Sequence, residues 1–352
     1  MISAVESSPV GARRPEAADA GSRGPRVLEL RKLVVDYRVP EKPVRAVDGI
    51  DLEIGHGEIL GLAGESGCGK STVANAVMQI LRPPARITGG SILFQDEDVT
   101  AMSADRLRRY RWSDVSMVFQ SAMNALNPVM RVEDQFLDMM RAHRRVSKRE
   151  ALARAGELLE LVGIERRRLR AYPHELSGGM RQRVIIGMAL ALQPELVILD
   201  EPTTALDVVV QREILQQVQE IQRQLGFSVL FITHDLSLLL EVADRIAIMY
   251  AGEIVESATA EQLAKQPRHP YTQGLLQSFP PLHGQLTRLT GIPGSPPDLS
   301  NPPAGCRFHP RCPFCDPANA GLFARQTTER PLLELVEPGH EVACHLVSGG
   351  GA

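Results

Sequence analysis

The chain has 352 residues, of which 43% are hydrophobic and 23% charged, an ordinary balance that leaves room for one large α/β domain and a smaller appendix. A formal net charge of −3 excludes the basic footprint of a general nucleic-acid binder, and no apolar run approaches the length that spans a bilayer. The N-terminus lacks the apolar core of a signal peptide, so a cytoplasmic protein is expected, with any membrane role exercised through a partner.

Residues 1–25 are rich in Ala, Gly, Pro, Ser and Arg without apolar periodicity and read as a disordered tail. From Val27 onward, short apolar runs alternate with helical stretches, the pattern of a mostly parallel sheet covered by helices. Strands are predicted at residues 27–37, 58–63, 115–119, 196–199, 228–233 and 245–250. Residues 130–192 are helical in character, with charge-rich faces such as 148–161, and suggest an α-helical insertion at about residues 121–184. Pro and Gly become dense over residues 280–313, which places a boundary near 267–271 between a core of 26–268 and a small C-terminal domain of 269–352. Of five cysteines, Cys68 stands alone, whereas Cys306, Cys312, Cys315 and Cys344 crowd into the tail. In a reducing compartment that crowding suggests metal ligation before disulfides.

Gly64-Glu65-Ser66-Gly67-Cys68-Gly69-Lys70-Ser71 matches G-x-x-x-x-G-K-[ST] without a mismatch, between a predicted strand and a predicted helix that includes Thr72. Glycines let backbone N–H groups wrap a β-phosphate, Lys70 can reach the β- and γ-phosphates, and Ser71 can ligate Mg²⁺. The apolar run 196–199 delivers Asp200 and Glu201 at its carboxyl end. Asp200 suits support of Mg²⁺ and Glu201 suits orienting and deprotonating water, although a solvated acidic turn would look the same in isolation. His234 ends another apolar run and could contact a γ-phosphate, and Gln120, after the run 115–119, could meet Mg²⁺ and water. Tyr37 could stack on a base or belong to the core.

Leu176-Ser177-Gly178-Gly179-Met180-Arg181-Gln182-Arg183 adds a second anion site: Ser177 can cap a helix whose positive end Gly178 and Gly179 leave uncovered. With this motif the chain, over roughly residues 27–263, resembles the ATP-binding subunit of an ABC transporter. The order fits too: phosphate loop, Gln120, signature, Asp200–Glu201, Ala205-Leu206-Asp207, His234. The resemblance implies a P-loop (RecA-like) ATPase core in which two subunits sandwich two ATP molecules head to tail. Ser177, Gly178 and Gly179 would then complete the partner's ATP site, while residues 64–72 and Tyr37 hold the subunit's own.

The tail narrows the resemblance. Arg268-His269-Pro270-Tyr271-Thr272, Asn301-Pro302-Pro303-Ala304-Gly305-Cys306-Arg307-Phe308-His309-Pro310-Arg311-Cys312-Pro313 and Ala343-Cys344-His345 look like the dipeptide/oligopeptide importer branch, as does Ala46-Val47-Asp48-Gly49-Ile50. Some members of that branch hold an iron–sulfur cluster on four tail cysteines. The resemblance therefore implies a 4Fe-4S cluster on Cys306, Cys312, Cys315 and Cys344, ahead of Zn²⁺ or reduced thiols. Two departures stand out: Cys315 follows Cys312 closely, and Ser121-Ala122-Met123-Asn124 replaces the usual acidic residue and proline after Gln120.

The implied activity is ATP hydrolysis coupled to import of a small solute, most simply di- or oligopeptides, with nickel chelates or oligosaccharides as alternatives. The implied partners are a second, paralogous ATPase subunit, two transmembrane permease subunits and an extracellular solute-binding protein, with this chain peripheral on the cytoplasmic face of the membrane. A soluble, non-transport ABC ATPase shares these motifs. In DNA-repair members, however, long inserts separate loop from signature, and Gly64 to Ser177 leaves no room for one.

Overall fold

The computed structural model describes residues 25–40, 42–120, 122–203, 206–278 and 291–347, so the tail of residues 1–25 lies outside the described residues save for Pro25, as do Ser121 and Ala205. Twelve strands and ten α-helices are labelled among them. Strand β1 (Arg26–Tyr37) pairs antiparallel with β2 (Val44–Gly55) and with β4 (Ala85–Phe94), and a short β5 (Glu97–Asp98) completes a four-stranded sheet in the order β2-β1-β4-β5.

The second sheet has eight strands. Its centre is parallel: β9 (Arg245–Tyr250), β3 (Ile59–Ala63), β8 (Ser228–Thr233), β7 (Leu196–Asp200) and β6 (Val115–Val118), in that spatial order. On the other side of β9 the ladder turns antiparallel through β10 (Glu253–Thr259), β12 (His340–Val342) and β11 (Glu334–Glu337). The predicted parallel core is therefore present within a mixed architecture. Of the antiparallel sheet only β1 was anticipated: Gly and Asp interrupt the apolar runs of β2 and Gly those of β4, while β10, β11 and β12 are broken by Glu, Ser or His or are too short to read.

Alternation along the central strands separates two cores. Leu196 and Ile198 face one side with Leu230, Ile232, Leu60 and Leu62, against β1, β2, β4 and α1 (Lys70–Val77). Val197 and Leu199 face the other with Val229, Phe231, Ile246 and Ile248. Each such side chain, once buried, contributes about 1.5–3 kcal/mol.

After β5 comes α2 (Ala104–Arg109), and after β6 the chain is helical. Helix α3 (Val132–His143) buries Val132, Phe136 and Met140 at successive turns, and carries Glu133 and Asp134 at its positive end and Arg141 and His143 at its negative end. Helix α4 (Lys148–Leu161) starts from a reciprocal cap between Ser147 and Glu150 and buries Ala151, Ala155, Leu158 and Leu159. Helix α3 packs on α4, and α4 on α5 (Gly178–Ala189), before the chain returns to β7.

Helix α6 (Val208–Leu225) runs from the Asp207 cap to a left-handed Gly226. It is followed by α7 (Leu236–Val242), α8 (Ala260–Lys265), α9 (Pro270–Gln277) and α10 (Ala320–Thr328). Tyr271 and Phe308, from the segment past residue 268, are buried against Tyr250 with ring centroids 4.6 and 5.2 Å away. No helix among the described residues is long and apolar enough to cross a membrane.

Candidate ATP site

The all-apolar β3 ends at Ala63, and the loop that starts at Gly64 is shaped by backbone that other residues resist. Gly64 and Gly69 have φ of 153° and 113°, and a Cβ on either would collide with a neighbouring carbonyl oxygen, that of Met249 or Ala46. Lys70, the first residue of α1, folds back over the loop: its buried ammonium donates to the carbonyls of Gly64 (2.6 Å) and Glu65 (2.9 Å). Cys68 is buried, which pushes its thiol pKa up, so it acts as loop packing rather than as a nucleophile.

The loop floors a cleft of about 580 Å³. Ser66, Gly67, Gly69, Lys70, Ser71 and Thr72 line it, with Gln120 and Glu201 at one end and Tyr37 at the other. Tyr37 is half-buried and its hydroxyl lies 3.2 Å from Thr72 Oγ1, so β1 delivers its ring to the cleft wall rather than to the core. The sequence reading missed Val39, Val44, Ala46 and Leu299, which also line this cleft. Val39 lies two residues past Tyr37, and β2 brings Val44 opposite Tyr37; Leu299 comes from the tail and had no signal.

Ser71 Oγ donates to Asp200 Oδ1 at 3.1 Å, joining the loop to the end of β7. Burial pushes the Asp200 pKa up, and the neighbouring Glu201 adds to this, while Ser71 and Lys70 act the other way. A cation among these oxygens would reverse that balance.

Glu201 follows with a left-handed φ of 45°, its N–H donating to Ile232 O at 2.8 Å, a turn that swings its carboxylate to the cleft edge. Gln120 Nε2 donates to one carboxylate oxygen at 3.0 Å, and His234 Nδ1 lies 3.2 Å from the other. Three residues from three separate strand ends thus meet at the Glu201 carboxylate.

Ser177, Gly178 and Gly179 open α5, with Ser177 Oγ accepting from Met180 N at 3.2 Å. None of these three is among the described residues lining the Lys70 cleft.

The tail cysteines do not fit the expected cluster. Burial pushes the thiol pKa of Cys306 up to about 12 and of Cys344 to about 11, and raises that of Cys312; neighbouring cysteines add to this, Cys344 and Cys312 at Cys306, Cys312 at Cys344 and Cys315 at Cys312. Among the described residues no group of three or more His, Cys, Asp or Glu side chains is placed to hold a metal ion. The expectation of a 4Fe-4S cluster, or of Zn²⁺, therefore finds no support among the described residues.

Comparison with known proteins agrees with this site. Residues 47–204 match the ABC transporter family, and residues 255–318 match the oligopeptide/dipeptide transporter C-terminal region. The chain is 46% identical over 287 residues to the oligopeptide transport ATP-binding protein OppD of Bacillus subtilis, covering 80% of each chain. It is 41% identical over 329 residues to AppD of the same organism, covering 93% of this chain and 98% of that one. Among solved structures it resembles the dimeric ATP-binding cassette MJ0796 in a post-hydrolysis state bound to ADP and Pi, with TM-score 0.59 and 28% identity over 66% of this chain and 98% of the other. Loop, signature, strand-end acids and matched tail together establish that this chain belongs to the ATP-binding subunits of ABC transporters, in the oligopeptide/dipeptide branch.

Proposed function

We infer that this chain is the ATP-hydrolysing subunit that energises import of di- or oligopeptides through separate transmembrane subunits. The observation that carries the chemistry is the Glu201 carboxylate, held between Gln120 and His234 at the edge of the phosphate-loop cleft. Glu201 acts as the general base toward water, His234 senses the γ-phosphate, and Lys70 with the N–H groups of residues 66–72 binds the phosphates. Mg²⁺ would be held by Ser71 with Gln120 and Asp200 beside it, a set of hard oxygen donors suited to that ion, and would neutralise phosphate charge.

The signature at Ser177, Gly178 and Gly179 has its phosphate supplied by a second subunit, taken here as a paralogue. ATP then joins the two cassettes, and hydrolysis lets them part. Residues 26–268 serve as the nucleotide-binding domain, in which a helical subdomain over about 121–184 passes this motion to two permease subunits, while 269–352 form the C-terminal domain. The protein sits on the cytoplasmic face of the membrane, and an extracellular solute-binding protein delivers the cargo.

Reconstituting the co-purified complex in vesicles tests this reading. ATP hydrolysis is expected to rise when peptide-loaded binding protein is added. A rise with nickel chelates or oligosaccharides but not peptides would reassign the cargo, and recovery with ribosomes or DNA instead of membrane subunits would refute a transport role.

A further inference from the structure

Glu65, the second residue of the phosphate loop, is gripped from the C-terminal segment. Its carboxylate meets the Arg311 guanidinium through two parallel bonds, Nη1 to Oε2 at 2.6 Å and Nη2 to Oε1 at 3.0 Å. Its backbone N–H donates to the hydroxyl of the fully buried Tyr271 at 2.9 Å. Side chain and main chain of one loop residue are thus both fixed by residues more than two hundred positions away.

Arg311 is built for this task. Only 6% of its side chain is exposed, and all five N–H donors are engaged. Nε donates to Pro293 O at 2.8 Å, Nη1 reaches Tyr250 Oη at 3.4 Å as well as Glu65, and Nη2 reaches Gly294 O at 3.4 Å as well as Glu65. The guanidinium carbon also lies 5.8 Å from the Tyr250 ring centroid. A planar fork held on every edge has one orientation, and it imposes that orientation on the carboxylate it binds.

The grip reaches the phosphate-binding lysine in one step, since Glu65 O accepts from Lys70 Nζ at 2.9 Å. A second tie runs in parallel. Arg307, from the same segment, donates to Ala251 O, and the next residue, Gly252, donates its N–H to Cys68 O at 2.9 Å. The loop is therefore held at Glu65 and at Cys68, on either side of the Ser66–Gly67 turn that must open toward phosphate.

We propose that Arg311 is a positioning residue of the ATP site: with Tyr271 it fixes Glu65, and through Glu65 the Lys70 ammonium, in the arrangement that receives the β- and γ-phosphates. The gain is preorganisation, because a loop ordered before binding loses less freedom when nucleotide arrives. The proposal rests on the reading of residues 64–71 as the phosphate loop.

Arg311→Gln, Arg311→Lys, Glu65→Gln and Tyr271→Phe in the full chain test it, with ATP affinity measured on the subunit, kcat and KM on the assembled complex, and melting temperature for each. Arg311→Gln is expected to raise the ATP Kd and KM about tenfold while kcat falls less than threefold. Arg311→Lys should recover part of the loss, and the Glu65→Gln/Arg311→Gln pair should be no weaker than Arg311→Gln alone. Tyr271→Phe removes one hydroxyl, so it carries the test if Arg311→Gln fails to fold, with a rise of about threefold expected. Unchanged Kd and KM in Arg311→Gln or, should that fail to fold, in Tyr271→Phe, with only the melting temperature lowered, would overturn the proposal and leave the contact a structural tie. Lys70→Ala in the same assay separates the two levels: retained ATP binding there would refute the phosphate-loop reading itself.

Discussion

Replacing Glu201 by Gln isolates its proposed chemistry from its structural role. The amide has nearly the same size and can satisfy both neighbours: its oxygen accepts from Gln120 Nε2, 3.0 Å from the present carboxylate, and its NH₂ faces His234 Nδ1, 3.2 Å away, which accepts when the proton is on Nε2. The left-handed backbone at this position is a cost that both residues bear equally. Stability should therefore change by less than about 1 kcal/mol, within the range of one exchanged hydrogen bond. An amide cannot take a proton from water, and loss of a positioned base costs a factor of about 10²–10⁴ in rate, or roughly 3–5 kcal/mol on the barrier. Phosphate release in steady state and in a single turnover, with ATP affinity and melting temperature measured beside it, checks each part. Turnover within tenfold of the parent at unchanged affinity would refute Glu201 as the base; a matching fall in stability would show that the substitution broke the turn instead.

Gly179→Asp should leave ATP affinity at the subunit's own loop unchanged yet abolish ATP-dependent pairing, seen by light scattering in a Glu201→Gln background. A Cβ at that position would meet Val210 Cγ1 at 2.8 Å, and the carboxylate would occupy the anion site. Gly64→Ala should destabilise the fold by about 2 kcal/mol or more in urea melts, since the new methyl cannot coexist with Met249 O. Burial pushes the pKa of His269 down to about 4, against the opposing pull of Glu256. A folded-state value below the unfolded one means that the neutral imidazole contributes fully above about pH 6.5, and that this contribution is lost as pH falls toward 4, at most about 3 kcal/mol across the window. Urea melts at pH 7, 5.5 and 4.5 should show that slope, and His269→Asn, which can still cap α9, should flatten it; an equal slope in both would point to other groups.

What was legible in the sequence was what is local. Gly64 to Ser71 is contiguous, so its loop could be read from spacing, and the fully apolar runs of β7 and β8 announced buried parallel strands ending in Asp200, Glu201 and His234. Strands β2 and β4 were missed because Asp48-Gly49 and Gly89-Gly90 break them, and because a sheet with one partly open face alternates rather than running apolar. Tyr37 was undecided until β1 placed it on the cleft wall. For the tail cysteines, crowding and resemblance suggested a ligand set, and no metal-holding group is found among the described residues. Leu299 and Arg311 carry no periodicity and no motif that points to nucleotide, and only the folded chain brings them to the site.

The three residues of β12 lie along the free side of β10, pairing Val342 with Glu256 and Glu341 with Ser257, and His340 Nε2 sits 2.7 Å from the buried Glu256 carboxylate. A chain cut after residue 268 would unpair the edge of β10 at Glu256 and Ser257 and strand the Glu256 carboxylate without its His340 partner. Such a truncation should yield a species that polymerises through that edge, not a smaller working ATPase. The tail is thus the selvedge of the sheet, the finished border that keeps the weave from fraying.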